Sequence, residues 1–174
     1  MKSLVAFFLA LVIAMAVVDA AAPLASETDG SEVAPVFGVR IPPGYRNWRL
    51  VSVAREDGNL NDLRGILGND LAINAYREGE IPFPDGTILV RLAWQSVSSE
   101  ENNKVFGRPQ SFVAGAPTNL QVMVKGSAKY ASTGGWGFAQ FTNGKPDGKA
   151  VQTSCSSCHN PDNTRDSVFT RYSP

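Results

Sequence analysis

The sequence predicts an α+β fold that is mainly β: an antiparallel sheet with a few short helices. Three observations predict it. Strand-like runs recur, among them Trp48–Arg55, Thr87–Val97 and Trp136–Phe141. Turn chemistry separates them, as in Pro82-Phe83-Pro84-Asp85-Gly86 and Gly134-Gly135. Helical signals are confined to short stretches between strands.

Length and composition frame this reading. The chain has 174 residues, enough for one domain with a real core. Its 43% hydrophobic content suits a globular protein. Sixteen basic and 16 acidic residues leave a formal charge of zero, which argues against nucleic acid as a partner. There are two cysteines, three methionines and one histidine, so a metal site with soft or imidazole ligands would use nearly the whole supply.

Residues 1–20 read as a secretory signal peptide. Lys2 gives a positive start, Leu4–Val18 is an unbroken apolar run, and Val18-Asp19-Ala20 offers a small-x-small cleavage signal. The run is shorter than the ~20 residues needed to span a bilayer, so a retained anchor is the weaker reading. A periplasmic or secreted protein with no membrane association after cleavage is expected. Residues 21–43 are expected to form a flexible tail of small and acidic residues leading to Pro42-Pro43. Residues 44–174 form the domain.

Within it, Trp48–Arg55 is the first strand and Leu63–Gly68 a second, broken by glycines. Asn69 or Asp70 can cap a short helix over Leu71–Glu78, which Gly79 ends. Thr87–Val97 is the strongest strand. Ser98–Arg108 reads as a polar loop. Gln110–Ala114 and Leu120–Lys125 read as two further strands, Ser127–Ser132 as a turn or two of helix, Trp136–Phe141 as another strand, and Asn143–Gly148 as a loop.

The chemistry concentrates in Cys155-Ser156-Ser157-Cys158-His159. C-x-x-C-H is the attachment signature of a c-type haem. On a helical turn, positions i, i+3 and i+4 share a face, so two thiols can add to the haem vinyl groups while the imidazole ligates iron. A plain disulfide gives no reason for the adjacent histidine. A thioredoxin-like pair expects a strand before it in a βαβ unit. A structural zinc site needs a fourth ligand such as Asp162. Because His159 is the sole histidine, bis-histidine ligation within one chain is excluded. Met123 is the sole thioether left after signal removal. It is a possible sixth ligand, though its strand-like surroundings suit core packing better. An open iron suits small-molecule binding, and a His/Met iron suits electron transfer with a redox partner protein.

Gly44-Tyr45-Arg46-Asn47-Trp48, Phe83-Pro84-Asp85-Gly86-Thr87, Gly134-Gly135-Trp136-Gly137-Phe138, the Cys155–His159 motif and the ending Val168-Phe169-Thr170-Arg171-Tyr172-Ser173-Pro174 stand in an order that resembles the cytochrome P460 family, which includes the β-type cytochromes c′. The resemblance covers nearly all of Tyr45–Pro174. It implies an antiparallel sheet packed with helices, one covalent haem c per chain, His159 as proximal ligand and a homodimer. It also implies either hydroxylamine oxidation, with nitric or nitrous oxide as product, or binding of nitric oxide and related gases. Cytochromes P460 proper carry a lysine cross-linked to the haem edge, on the strand after Asp-Gly-Thr. Here Arg91 takes that place, and a guanidinium is a poor nucleophile. Arg91 then has a distal-pocket or haem-edge role, or pairs with a propionate or carboxylate. Lys104, Lys125 and Lys129 are alternative sources of the link, and surface charge is the expected role of each. Phe83, Phe112, Phe138 and Phe141 are candidates for an apolar distal lining, each with core packing as the competing role, and Gln152 is a candidate polar distal group.

Overall fold

A computed structural model describes residues 31–159 and 163–173. The expected signal peptide, the first part of the expected tail, Asp162 and Pro174 lie outside them. Six strands form one antiparallel sheet in sequential order: β1 (Arg49–Glu56), β2 (Asp62–Gly68), β3 (Ile88–Ser98), β4 (Phe112–Lys125), β5 (Trp136–Thr142) and β6 (Lys145–Pro146). Three α-helices accompany them: α1 (Asp70–Glu78), α2 (Glu100–Phe106) and α3 (Lys149–His159). The fold is α+β and mainly β, as the strand patterns predict. Among the described residues no helix is long and apolar enough to cross a membrane.

Helix α1 forms where its capping residues put it. The Asn69 side chain accepts from Ala72 N, and Gly79 closes the helix in a left-handed conformation. The expected loop at 98–108 instead contains α2. Ser99 caps it by accepting from Asn102 N, two glutamates open it, Lys104 closes it, and Gly107 ends it. It has no buried residue, so it leaves no apolar period in the sequence. The two strands expected at 110–125 are one. Pro117 lies opposite Trp94, at a register irregularity between β3 and β4. A bulge there admits proline, which has no N–H to give the ladder.

The sheet buries both faces. By register, Leu89, Met123 and Phe138 form one cross-strand row and Arg91, Gln121 and Gln140 the next, all on one face. The apolar part of this face joins a core containing Val51, Ile66, Ile73, Phe83, Trp136 and Val168. The opposite face carries Val90, Val122, Ala139 and Phe141. There the described part of the expected tail packs down: Ala34 is 0% and Val39 3% exposed, and both belong to this second core. Helix α3 packs against β5, at the far end of the sheet from β1.

Candidate functional site

Helix α3 carries the whole cysteine–histidine motif in its last turns. The helix is anchored by Gln152, which is fully buried. Its side-chain amide donates to the Asp147 carbonyl at 2.7 Å and accepts from Val36 N at 3.2 Å. Gln152 therefore ties α3 to the segment before it and to the N-terminal segment. This corrects its expected place as a distal polar group: both ends of its amide are engaged with backbone.

Three residues further on, the motif begins. Cys155 and Cys158 are free thiols. Cys155 is half-buried against the first core, and burial pushes its thiol above the ordinary range. Cys158 is exposed. His159 is half-buried between two aromatic rings, with centroid distances of 5.1 Å to Phe138 and 4.8 Å to Phe169. Its Nδ1 lies 2.7 Å from the Ser167 carbonyl. A carbonyl only accepts, so Nδ1 carries the proton and Nε2 keeps its lone pair. Burial lowers the imidazole's pKa, while the Ser167 contact opposes that shift. The result is a neutral, oriented imidazole, the form that ligates a metal.

Arg91 sits on the same sheet face as Phe138, in the adjacent cross-strand row. Its guanidinium donates to Asp62 Oδ2 at 2.6 Å and to Asn119 Oδ1 at 2.9 Å. Asp62 is only 3% exposed and also accepts from Arg64 Nε at 2.7 Å. Arg64 reaches Glu56 at 2.9 Å. Burial lowers the Arg91 pKa, with Arg64 acting in the same direction and Asp62 against it. The buried Nε–H of Arg91 has no partner. A carboxylate partner was one of the expected roles for Arg91, and Asp62 supplies it. Asp62 carries no motif signal, and Phe169 reads only as part of the ending that carries the resemblance, with no role of its own. Alternation with Leu63 and position in the terminal Val168–Tyr172 stretch were the traces available.

The other candidates separate. Met123 is partly buried and packs against the first core. Phe83 is 4% exposed and stacks edge-on with Tyr76 and Trp136. Phe141 belongs to the second core, on the opposite face from Phe138. Phe112 is exposed, with the Arg55 guanidinium 3.8 Å above its ring. Only Phe138 of the four touches His159. Lys104 and Lys129 are exposed, as expected. Lys125 is not: it is 5% exposed and pairs with Asp166 at 2.6 Å. The expectation of surface charge fails there because Asp166, distant in sequence, supplies the counter-charge that makes burial tolerable. A cavity of about 240 Å³ lies elsewhere, between Tyr45, Arg46, Trp94, Thr118 and Phe141.

Two free thiols three residues apart on a helix, followed by an imidazole oriented through Nδ1, fit a haem. A mainly β sheet bearing such a helix defines a class of haem-binding proteins unlike helical cytochromes. The family comparison agrees: the family model for cytochrome P460 matches residues 42–170, and the chain belongs to that family. Its cofactor is accordingly a haem. No curated protein matches the chain.

Proposed function

We propose that this chain is an exported haem c protein that binds nitric oxide or a related small nitrogen-oxide ligand at an open iron position. Cys155 and Cys158 would hold the haem through thioether bonds, and His159 would ligate the iron through Nε2. A haem held by these residues would supply an iron able to bind a small uncharged ligand. Ser167 keeps the imidazole turned toward the metal. Phe138 and Phe169 flank the imidazole and limit water around it.

The observation that carries the choice between binding and hydroxylamine oxidation is Arg91. It stands where the resemblance puts the cross-linking lysine, and its guanidinium is held by Asp62 and Asn119. Lys125 is engaged with Asp166, so it offers no free amine either. Without a cross-link the haem keeps the electronic character of an ordinary haem c. Export is read from Lys2 and the Leu4–Val18 run. A homodimer is supported by exposed apolar side chains around the β3–β4 connection: Val97, Val105, Phe106, Phe112 and Val113 are each more than 40% exposed.

The test is the optical spectrum and intact mass of the haem-loaded chain. The expected result is an ordinary haem c Soret band and loss of haem from a Cys155→Ala/Cys158→Ala variant. A Soret band displaced far to the red, or haem retained by that variant, would show a third covalent link and favour the oxidase. Replacing Met123 with alanine should leave the spectrum unchanged. A changed spectrum would instead favour electron transfer through a His/Met iron.

A further inference from the structure

The Ser167 carbonyl that orients His159 sits in an unusual piece of backbone. Asp166 has φ +52° and Ser167 φ +62°, two successive non-glycine residues in the left-handed region. Such residues persist only where their surroundings over-determine them. Here the surroundings converge on Asp166. Its Oδ1 accepts from Lys125 Nζ at 2.6 Å. Its Oδ2 accepts from Phe83 N at 2.9 Å. Its own carbonyl accepts from Trp136 Nε1 at 2.8 Å.

Lys125 is fixed just as firmly. Its side chain is 4% exposed, donates to the Gly134 carbonyl at 3.3 Å and lies 5.1 Å from the Trp136 ring centroid. Gly135 leaves it room, since a Cβ there would come within 3.1 Å of Nζ. The charged pair is thus built into the junction of β4, β5 and the 163–173 segment. The next peptide along presents its oxygen to His159.

We propose that the Lys125–Asp166 ion pair is a positioning device for the axial histidine. It clamps the left-handed turn at Asp166 and Ser167 so that the Ser167 carbonyl stays on His159 Nδ1. A firm Nδ1–H···O=C bond raises the basicity of Nε2, strengthens the iron–imidazole bond and favours ferric over ferrous iron. Lys125 and Asp166 would in this way set the iron's electronic state without touching the haem. The inference rests on the reading of His159 as the axial ligand.

The experiment compares the haem-loaded wild type with Asp166→Asn and with the double variant Lys125→Met/Asp166→Asn. Asparagine tolerates the left-handed region and can still accept from Phe83 N, but it breaks the ion pair. The double variant leaves no unpaired buried charge, so it keeps the fold. It also leaves net charge unchanged, which removes a simple charge effect on the iron. Resonance Raman of the ferrous protein reads the iron–histidine stretch, and a redox titration reads the midpoint potential. The expected result is a lower stretching frequency and a higher potential in both variants, with no change in Lys104→Met, which removes an exposed charge. A folded double variant whose band and potential stay at the wild-type values would overturn the proposal, as would an equal shift in Lys104→Met. Failure of the underlying reading looks different: the wild-type protein would then show no iron–histidine band at all.

Discussion

Asp62 accepts from two arginines at once, at 2.7 Å from Arg64 Nε and 2.6 Å from Arg91. Its carboxylate is nearly out of solvent, so its worth lies in keeping two guanidinium groups paired. Asp62→Ala would leave both cations half-buried beside each other. Breaking a buried pair from one side costs about 3–5 kcal/mol, and that loss is expected here in urea unfolding at neutral pH. Arg91→Met should cost less, because Asp62 keeps Arg64. At this scale the sequence was informative wherever a short motif carried the chemistry. Cys155, Cys158 and His159 stand out by their spacing, and Arg91 only through the place that the family resemblance gives it. Asp62 and Asp166 were silent because their roles depend on partners far along the chain: Asp62 meets Arg91 across β2 and β3, and Asp166 meets Lys125 across 41 positions. The same distance hid the burial of Lys125, since a lysine at a strand end reads as solvated until its counter-charge is located.

Elements were legible in proportion to their local signals. Helix α1 follows from its cap, its length and Gly79. Helix α2 had a cap, acidic opening and glycine stop, yet no apolar face, so the polar stretch around it read as loop. Pro117 makes β4 read as two strands because a proline breaks a ladder unless a bulge receives it, and a bulge depends on the facing strand. Asn69 shows how one residue can join two elements. Its Oδ1 accepts from Ala72 N in α1 and from Ile88 N at the start of β3, each at 3.1 Å. Its Nδ2 donates to the Gly86 carbonyl at 2.9 Å. An ordinary helix cap is worth about 1 kcal/mol. Asn69→Ala loses the cap and two further bonds, so a cost of about 2 kcal/mol is expected from chemical denaturation. Asn69→Asp should recover the two accepting bonds and lose only the donated one. Partial rescue by aspartate would confirm that the side chain links helix and strand; equal loss in both variants would refute it.

The antiparallel sheet was readable from strand-like runs separated by turn residues, but the assignment of each face was not. Both faces of the sheet are covered, one by α1 and the 163–173 segment and the other by residues from 34 to 41, and a central strand such as β3 buries apolar side chains on both sides. Those closing contacts also set how stability varies with pH. Tyr76 on α1 stacks on Tyr172 at 5.8 Å and donates to the Thr170 carbonyl at 3.2 Å. Burial drives its phenol far above its ordinary value, with Arg165 acting in the opposite direction. The native state therefore prefers the neutral phenol more than the unfolded chain does. Its contribution is full below the unfolded value of about 10 and is lost as pH rises past it. Asp85 works at the other end of the scale. Ser127 donates to its carboxylate from both hydroxyl and backbone N–H, at 2.7 and 2.8 Å, and holds its pKa below the ordinary carboxylate range. That contribution is present above about pH 4 and fades as pH falls. Unfolding free energy measured in urea from pH 3 to pH 11 should fall at both extremes. Tyr76→Phe should flatten the alkaline fall while costing about 1 kcal/mol at neutral pH for the lost hydrogen bond. Ser127→Ala should shrink the acid fall and leave the alkaline one intact. An alkaline limb as steep in Tyr76→Phe as in the wild type would mean that the 163–173 segment closes over α1 through packing alone.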